Sequence, residues 1–177
     1  DASAPLTGNG GFIETSAAHV KVANEAVVDT RSKTGQVGTW LIDPQDYNVA
    51  AAGGDISGAT LSTNLGTTSV TLQSIDGNVS GSGNVNINDA VAWSANTTLT
   101  LTASNNVNVN SNIAGTGNSA GLVINPNTSL GAEAASGSGA FKLGSGASIT
   151  LSGAAPSLAI AGRHYVVINR LGEEGST

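Results

Sequence analysis

The chain has 177 residues, 24 of them Gly, with no Cys, no Met and only two each of Phe, Tyr and Trp. Its six basic and twelve acidic residues give a formal net charge of −6, and charged residues make up 10% of the chain. The length fits one domain. The lack of Cys excludes disulfides, thiolate metal sites and thiol nucleophiles, and the acidic balance argues against a nucleic-acid partner.

The sequence also offers little for spanning a membrane or binding a metal ion. No apolar run reaches the roughly 18 residues that a membrane-spanning helix needs. The two His residues, His19 and His164, lie far apart in the sequence, which argues against a His-based metal centre. We therefore expect no membrane span, no metal and no cofactor.

The first fifty residues differ from the rest. Residues 8–16 (GNGGFIETS) lead from a Gly-rich stretch into apolar residues, and residues 38–49 (GTWLIDPQDYNV) contain a second apolar stretch. Asp43 is followed by Pro44, and a residue before Pro favours extended or turn conformations. This predicts a strand that ends in a turn at Asp43.

From residue 51 onward, aliphatic residues alternate with Ser, Thr and Asn. A period of two residues places the aliphatic side chains on one face of a strand. The clearest cases are residues 69–73, 84–88, 98–102, 106–110 and 148–152. No long window has apolar residues at helical spacing, and Gly interrupts nearly everywhere, so we predict an all-β chain without a helix.

The spacing of these strands indicates their architecture. Short aliphatic modules begin about six to nine residues apart between Val70 and Ile124, with small residues between them. A coil that turns a corner after each short strand fits this spacing, and a narrow aliphatic interior needs few aromatic side chains. Asn fits the corners, where it can hydrogen-bond to its equivalent one turn away. We predict a right-handed parallel β-helix, with a β-sandwich as the alternative.

The sequence resembles a known family in several segments. The two motifs at residues 8–16 and 38–49 resemble those of filamentous-haemagglutinin-like exoproteins of Gram-negative bacteria. These are large secreted adhesins and haem-utilisation proteins, many of them exported by two-partner secretion. Later segments are similar to the same family: residues 54–57, 59–62, 85–94, 99–103 and 165–169.

The resemblance implies a structural and adhesive function. It implies one β-helical domain over residues 1–177, a segment of a longer exoprotein, with the family motifs in residues 1–50 and Asn-, Thr- and Gly-rich rungs in residues 51–177. It also implies a secreted or cell-surface location on a Gram-negative bacterium. The expected partner is a receptor or glycan on a host or neighbouring cell. The resemblance implies no catalytic residues, and we expect no enzyme.

Three alternatives stay open. A β-helix has unpaired strands at its ends, so the chain could be a fibre subunit that stacks head to tail. A polysaccharide-active enzyme would need grouped carboxylates, for which Asp43 and Asp46 are the candidates. A flat Thr array could bind an ordered surface, but the row of Thr98, Thr100 and Thr102 is followed by Asn residues at 106, 108 and 110, so recurrence fails.

Two further residue types bear on recognition. The sequence N-x-S/T occurs at Asn78, Asn96 and Asn127, which makes these weak candidates for glycosylation. Trp40 and Trp93 could stack on a sugar if they were exposed, but both have aliphatic neighbours. We therefore expect both indole rings to lie in the core.

Overall fold

A computed structural model describes residues 1–74, 81–129 and 137–168. Within these ranges the chain forms fourteen strands and one short helix. The strands are β1 (Phe12–Ser16), β2 (Thr39–Asp43), β3 (Tyr47–Val49), β4 (Ser69–Ser74), β5 (Val85–Ile87), β6 (Val91–Trp93), β7 (Thr98–Ala103), β8 (Val107–Val109), β9 (Ile113–Gly115), β10 (Gly121–Asn125), β11 (Phe141–Leu143), β12 (Ile149–Leu151), β13 (Ser157–Ile160) and β14 (Arg163–Tyr165). The helix is α1 (Gly58–Leu65).

The strands form three sheets. Sheet 1 has the order β1-β2-β4-β7-β10-β13-β14, sheet 2 has the order β11-β8-β5-β3, and sheet 3 has the order β12-β9-β6. All neighbouring strands are parallel except β13 and β14, which are antiparallel. From β4 to β13 the chain visits sheets 1, 2 and 3 in rotation, and β14 returns to sheet 1. The prediction of a β-rich fold is therefore confirmed.

The core consists of aliphatic side chains stacked from strand to strand. In sheet 1, Val70 is the register partner of Leu99, and Leu99 is the partner of Leu122. All three side chains are fully buried. Each predicted aliphatic module within the described residues has its side chains inside, while Val79 lies outside the described residues. Period-two alternation therefore predicted both the strands and the face that each one buries.

Helix α1 corrects the prediction that the chain has no helix. Ser57 caps its N-terminus, accepting a hydrogen bond from the Thr60 N–H (3.1 Å). Leu61 and Leu65, four residues apart, are both fully buried. The helix is only eight residues long, so its apolar residues span just two turns. This is too short for the periodic apolar pattern that indicates a helix in a sequence.

The helix closes one edge of sheet 3. Strand β6 pairs with β9 on one side, and on the other side the Ala92 N–H donates to the Ser62 hydroxyl (2.9 Å). The Gly58 N–H donates to the Asp89 carboxylate just before β6 (2.8 Å). Residues 55–56 close sheet 2 in the same way, because the Ala50 N–H after β3 donates to the Ile56 carbonyl (3.0 Å). Strands β3 and β6 thus have partners within the chain on both sides, whereas β1 is the edge strand of sheet 1 at this end.

Candidate functional site

The outer face of sheet 2 is covered with asparagine side chains. Asn48, Asn86 and Asn108 occupy equivalent positions on β3, β5 and β8. Four more Asn flank them at the strand ends: Asn84, Asn88, Asn106 and Asn110. We call these seven residues the amide face. The seven Asn side chains carry no charge, but charged residues continue their rows: Asp46 lies opposite Asn84 just before β3, and Lys142 lies opposite Asn108 on β11.

Hydrogen bonds join the amide face from one strand to the next. Asn108 donates from Nδ2 to Oδ1 of Asn86 (2.7 Å), and Asn110 donates in the same way to Asn88 (2.8 Å). In both pairs the residues are 22 positions apart in the sequence. Asn side chains therefore hydrogen-bond to their equivalents on the neighbouring parallel strand. These pairs lie in or beside strands, and none of their residues has a positive φ, so they do not serve as left-handed corners.

The outer face of sheet 1 carries hydroxyl groups. Thr71 on β4 is the register partner of Thr100 on β7, and Thr39 on β2 is the partner of Ser69 on β4. With Thr98, these residues form a half-buried set that we call the hydroxyl face. The face carries donors and acceptors but no charge.

The strand order of sheet 1 corrects the expectation that Asn residues at 106, 108 and 110 follow the row of Thr98, Thr100 and Thr102. Residues 106, 108 and 110 lie on or beside β8 in sheet 2, so they are not the neighbours of Thr98, Thr100 and Thr102. Thr100 instead lies between Thr71 and Val123 in sheet 1. Hydroxyl groups therefore recur across two strands at this position and stop at the third.

The carboxylates hold backbone turns in place. Asp46 accepts from the N–H groups of Ser82 (2.9 Å) and Asn84 (2.8 Å). Asp43 accepts from the Gln73 side-chain amide (2.9 Å), at the predicted strand end. Each carboxylate has its own structural partner, and the residues that the structure describes contain no group of three His, Cys, Asp or Glu that could hold a metal ion. Asp76 lies outside the described residues.

One ion pair alters a pKa. Asp29 accepts from the Arg31 side chain through Nε (2.9 Å), and it also accepts from the Arg31 backbone N–H (2.9 Å). These bonds hold the pKa of the Asp29 carboxyl below its ordinary value. The Arg31 side chain is 66% exposed, so the pair lies at the surface.

The buried phenol of Tyr47 is a feature that the sequence did not predict. Tyr47 is fully buried on β3, and its hydroxyl has no hydrogen-bond partner among the residues that the structure describes. Burial is the main cause that raises the pKa of this phenol well above its ordinary value, and the negative charge of Asp55 raises it further. The phenol therefore stays neutral, and the Tyr47 side chain is part of the hydrophobic core.

The candidate glycosylation residues differ in their surroundings. Asn96 is exposed, and its side-chain oxygen accepts from the Ser119 N–H (2.9 Å). Asn127 is exposed, has a positive φ of 53°, and accepts from the Gly137 N–H (2.9 Å). Asn78 lies outside the described residues. Glycosylation of any of them stays a prediction, and the intact mass of the natural protein tests it.

The two indole rings lie in the core, as the sequence predicted. Trp40 and Trp93 are 3% and 5% exposed, so neither indole ring can stack on a sugar. Their Nε1–H groups donate to the Thr15 hydroxyl (3.1 Å) and the Thr97 carbonyl (3.2 Å). His164 is exposed on the edge strand β14.

The surface beside helix α1 has a shallow depression. The depression has a volume of about 360 Å³, lies at the N-terminus of α1 and is lined in part by Glu25, Ser57 and Asp89. The Asp89 carboxylate is already bonded to the Gly58 N–H, so it anchors the helix. This depression assembles no reactive group.

Comparison with known proteins adds no relative. No family model, curated protein or solved structure matches the chain. Within the described residues, no helix is long and apolar enough to cross a membrane.

Proposed function

We propose that the chain is a non-catalytic, adhesive segment of a filamentous-haemagglutinin-like exoprotein. It is secreted from, or displayed on, a Gram-negative bacterium. The observation that carries this proposal is the presence, on two parallel sheets, of the amide face and the hydroxyl face, whose own residues carry no charge. The family motifs at residues 8–16 and 38–49 supply the assignment to exoproteins.

The proposed architecture is a right-handed parallel β-helix. The rotation of the chain through sheets 1, 2 and 3 supports a coil, and the 22-residue separation of paired Asn residues gives its shortest turn. Right-handedness follows the strong preference of parallel crossover connections. Cross-strand NOEs in solution test the coil: protons of Asn86 and Asn108 should be close, whereas a β-sandwich would place antiparallel neighbours beside each strand.

The proposed mechanism is adhesion through many weak polar contacts. Hydroxyl and amide groups pair with the hydroxyl groups of a glycan, and a stiff shaft repeats such contacts along its length. Affinity then depends on the number of contacts engaged at once. A neutral cell-surface glycan is therefore the partner class that the chemistry of both faces supports best, with a protein receptor as the alternative.

Adhesion of coated beads to cells and to immobilised glycans tests this function. A double variant with Thr71→Lys and Thr100→Lys adds charge to the hydroxyl face, and one with Asn86→Lys and Asn108→Lys adds it to the amide face. The variant that blocks the binding face should lose adhesion, while the other serves as its matched control. Equal adhesion by both variants and the unchanged protein would contradict binding through either face.

Two other functions have less support. Head-to-tail stacking into a fibre would join two unlike ends: α1 and residues 55–56 cover sheets 3 and 2 at the β1 end, and the edge strand β14 at the other end is antiparallel to its neighbour. A polysaccharide-active enzyme would need carboxylates free to transfer a proton, and Asp46 accepts two backbone hydrogen bonds instead. Saccharide turnover that is lost in Asp43→Asn and Asp46→Asn would restore the enzyme proposal.

A further inference from the structure

The side chains of the amide face fall into two groups according to what they bind. Just before β5 and β8, two of them hold backbone in place. The Asn84 Oδ1 accepts from the Asn106 N–H (3.0 Å), and the Asn106 Oδ1 accepts from the Ala140 N–H (3.1 Å). Within the part of the chain that the structure describes, the side chains of the other five bond only to one another. We call these five residues the amide ladder: Asn48, Asn86, Asn88, Asn108 and Asn110.

Asparagine is an unfavourable residue for the strands that carry the amide ladder. Asn is depleted in strands, whereas Thr is favoured, and Thr71 and Thr100 occupy outward positions of sheet 1. A side-chain hydrogen bond at a solvated surface gains little stability, because it replaces bonds to water. The amide ladder therefore lowers the β propensity of these strands and holds no turn or loop in place. Local preferences are broken in this way chiefly at functional sites.

The hydrogen bonds of the amide ladder all run in one direction, from a later strand to an earlier one. Asn108 donates to Asn86, from β8 to β5 (2.7 Å). Asn110 donates to Asn88 (2.8 Å), and Asn88 donates onward to Asn48 on β3 (2.7 Å). Among the described residues, the Nδ2 groups of Asn48 and Asn86 have no acceptor, and the Oδ1 atoms of Asn108 and Asn110 have no donor. Because hydrogen bonds in a chain polarise one another, these unused groups are strengthened as donors and acceptors.

The unused groups match a ligand whose donor and acceptor point in opposite directions. A trans secondary amide has this geometry, because its N–H and its C=O lie on opposite sides of the C–N bond. It continues the amide ladder with the same polarity as the Asn side chains. The outward positions of β3, β5, β8 and β11 carry no aromatic ring on which a sugar could stack. A sugar on this face is therefore recognised through its polar substituents.

We propose that the amide face binds the acetamido groups of a neutral glycan that contains N-acetylhexosamine. The acetamido N–H donates to the Oδ1 of Asn108 or Asn110, and the acetamido carbonyl accepts from the Nδ2 of Asn86 or Asn48. A glycan with several acetamido groups engages both ends of the amide ladder at once, and its affinity rises with their number. This inference rests on the proposed adhesive function and deepens it, because it assigns the binding face and the sugar substituent.

Two oligosaccharides that differ only in the acetamido group test the proposal. Chitotetraose and cellotetraose have the same backbone of linked rings, and cellotetraose has a hydroxyl group where chitotetraose has an acetamido group. In NMR spectra of the isotopically labelled chain, chitotetraose should shift the side-chain NH₂ signals of the amide ladder in a saturable manner. The dissociation constant of cellotetraose should be at least tenfold higher. Equal affinities for the two sugars, or unshifted ladder signals with chitotetraose, would overturn the proposal.

A matched pair of double variants locates the site. Asn86→Thr with Asn108→Thr removes the central amides, whereas Asn24→Thr with Asn118→Thr makes the same change at two exposed residues outside the strands. The first variant should raise the dissociation constant of chitotetraose at least tenfold, and the second should leave it unchanged. Thr favours strands, so the unfolding midpoint of the first variant should not fall far enough to explain the loss. Equal dissociation constants in the two variants would contradict the assigned face.

Two further measurements separate this inference from its alternatives. Tetraglycine carries secondary amides without a sugar ring, and an affinity equal to that of chitotetraose would reassign the face to a polypeptide and overturn the glycan class. Coated beads that adhere to cells or glycans, from a chain that does not bind chitotetraose, would overturn acetamido recognition and leave the adhesive function intact. Saturable binding of chitotetraose by a chain whose beads adhere to nothing would support the site and refute the adhesive function.

Discussion

Replacing Asn64 by Ala tests whether a single side chain fastens helix α1 to the rest of the fold. The Asn64 side chain is fully buried and spans two segments of the chain. Its Nδ2 donates to the carbonyls of Ala26 (2.8 Å) and Thr60 (2.8 Å). Its Oδ1 accepts from the Val28 N–H (2.6 Å). Alanine removes all three bonds.

The expected cost comes from the groups that lose their partner. The Thr60 carbonyl keeps its hydrogen bond within the helix. The Ala26 carbonyl and the Val28 N–H have no second hydrogen-bond partner among the described residues. A buried polar group left unsatisfied costs about 1–3 kcal/mol, and both groups here are only partly buried, which favours the lower half of that range. Alanine returns about 0.5 kcal/mol through its higher helix propensity. We expect a net loss of about 2 kcal/mol.

Urea denaturation followed by tryptophan fluorescence measures this loss, because Trp40 and Trp93 are both buried in the folded chain. Thr63→Ala is the matched control, since the Thr63 side chain is exposed and bonds only within the helix, to the Ala59 carbonyl (3.0 Å). That variant should change the free energy of unfolding by less than about 0.5 kcal/mol. If Asn64→Ala cost no more than the control, the fastening role would be refuted.

Two further variants test close packing and charge. Gly117→Ala should lower the free energy of unfolding by about 1–3 kcal/mol in the same assay, because the new Cβ would lie 2.2 Å from the Ala95 carbonyl oxygen. Gly66→Ala is the control and should cost little, because the atom nearest to its Cβ is 3.0 Å away. Equal costs in the two variants would contradict the packing argument. Arg31→Gln should raise the depressed pKa of Asp29 towards its ordinary value in an NMR titration. Because the folded-state pKa is lowered, any stability from this pair is present at neutral pH and is lost as the pH falls through that pKa. An unchanged pKa in the variant would show that the Arg31 side chain is not its cause.

The strands could be predicted because their faces are decided locally. At residues 98–102 and 106–110, alternation alone gives the buried side of the strand, and Leu101 and Val109 are indeed fully buried. The strand end at Asp43 followed from Pro44. These features need no knowledge of the neighbouring strand, because the pleat itself sends successive side chains to opposite faces.

The partners of each strand could not be predicted, because the sequence separation between paired strands varies. Asn86 and Asn108 are separated by 22 residues, but Ser69 and Thr98 are separated by 29 and Asn112 and Ser148 by 36. Without a fixed repeat, the next module in the sequence need not belong to the same sheet. The Thr array was compared with the wrong strand for this reason, and α1 was missed because its stability depends on packing against β6.

The chain can fold with few charges because its polar groups satisfy one another. Asn side chains bond across sheet 2, and the carboxylate of Asp46 holds backbone N–H groups of a turn. The proposed adhesive contact pairs no opposite charges, because the amide face and the hydroxyl face carry only amides and hydroxyls. Raising the NaCl concentration from about 0.05 M to about 0.5 M should therefore change adhesion little, since salt screens interactions between exposed charges. A steep loss of adhesion with salt would mean that a carboxylate or Lys142 forms an ion pair with the partner, and the contact would have to be reassigned to a charged surface.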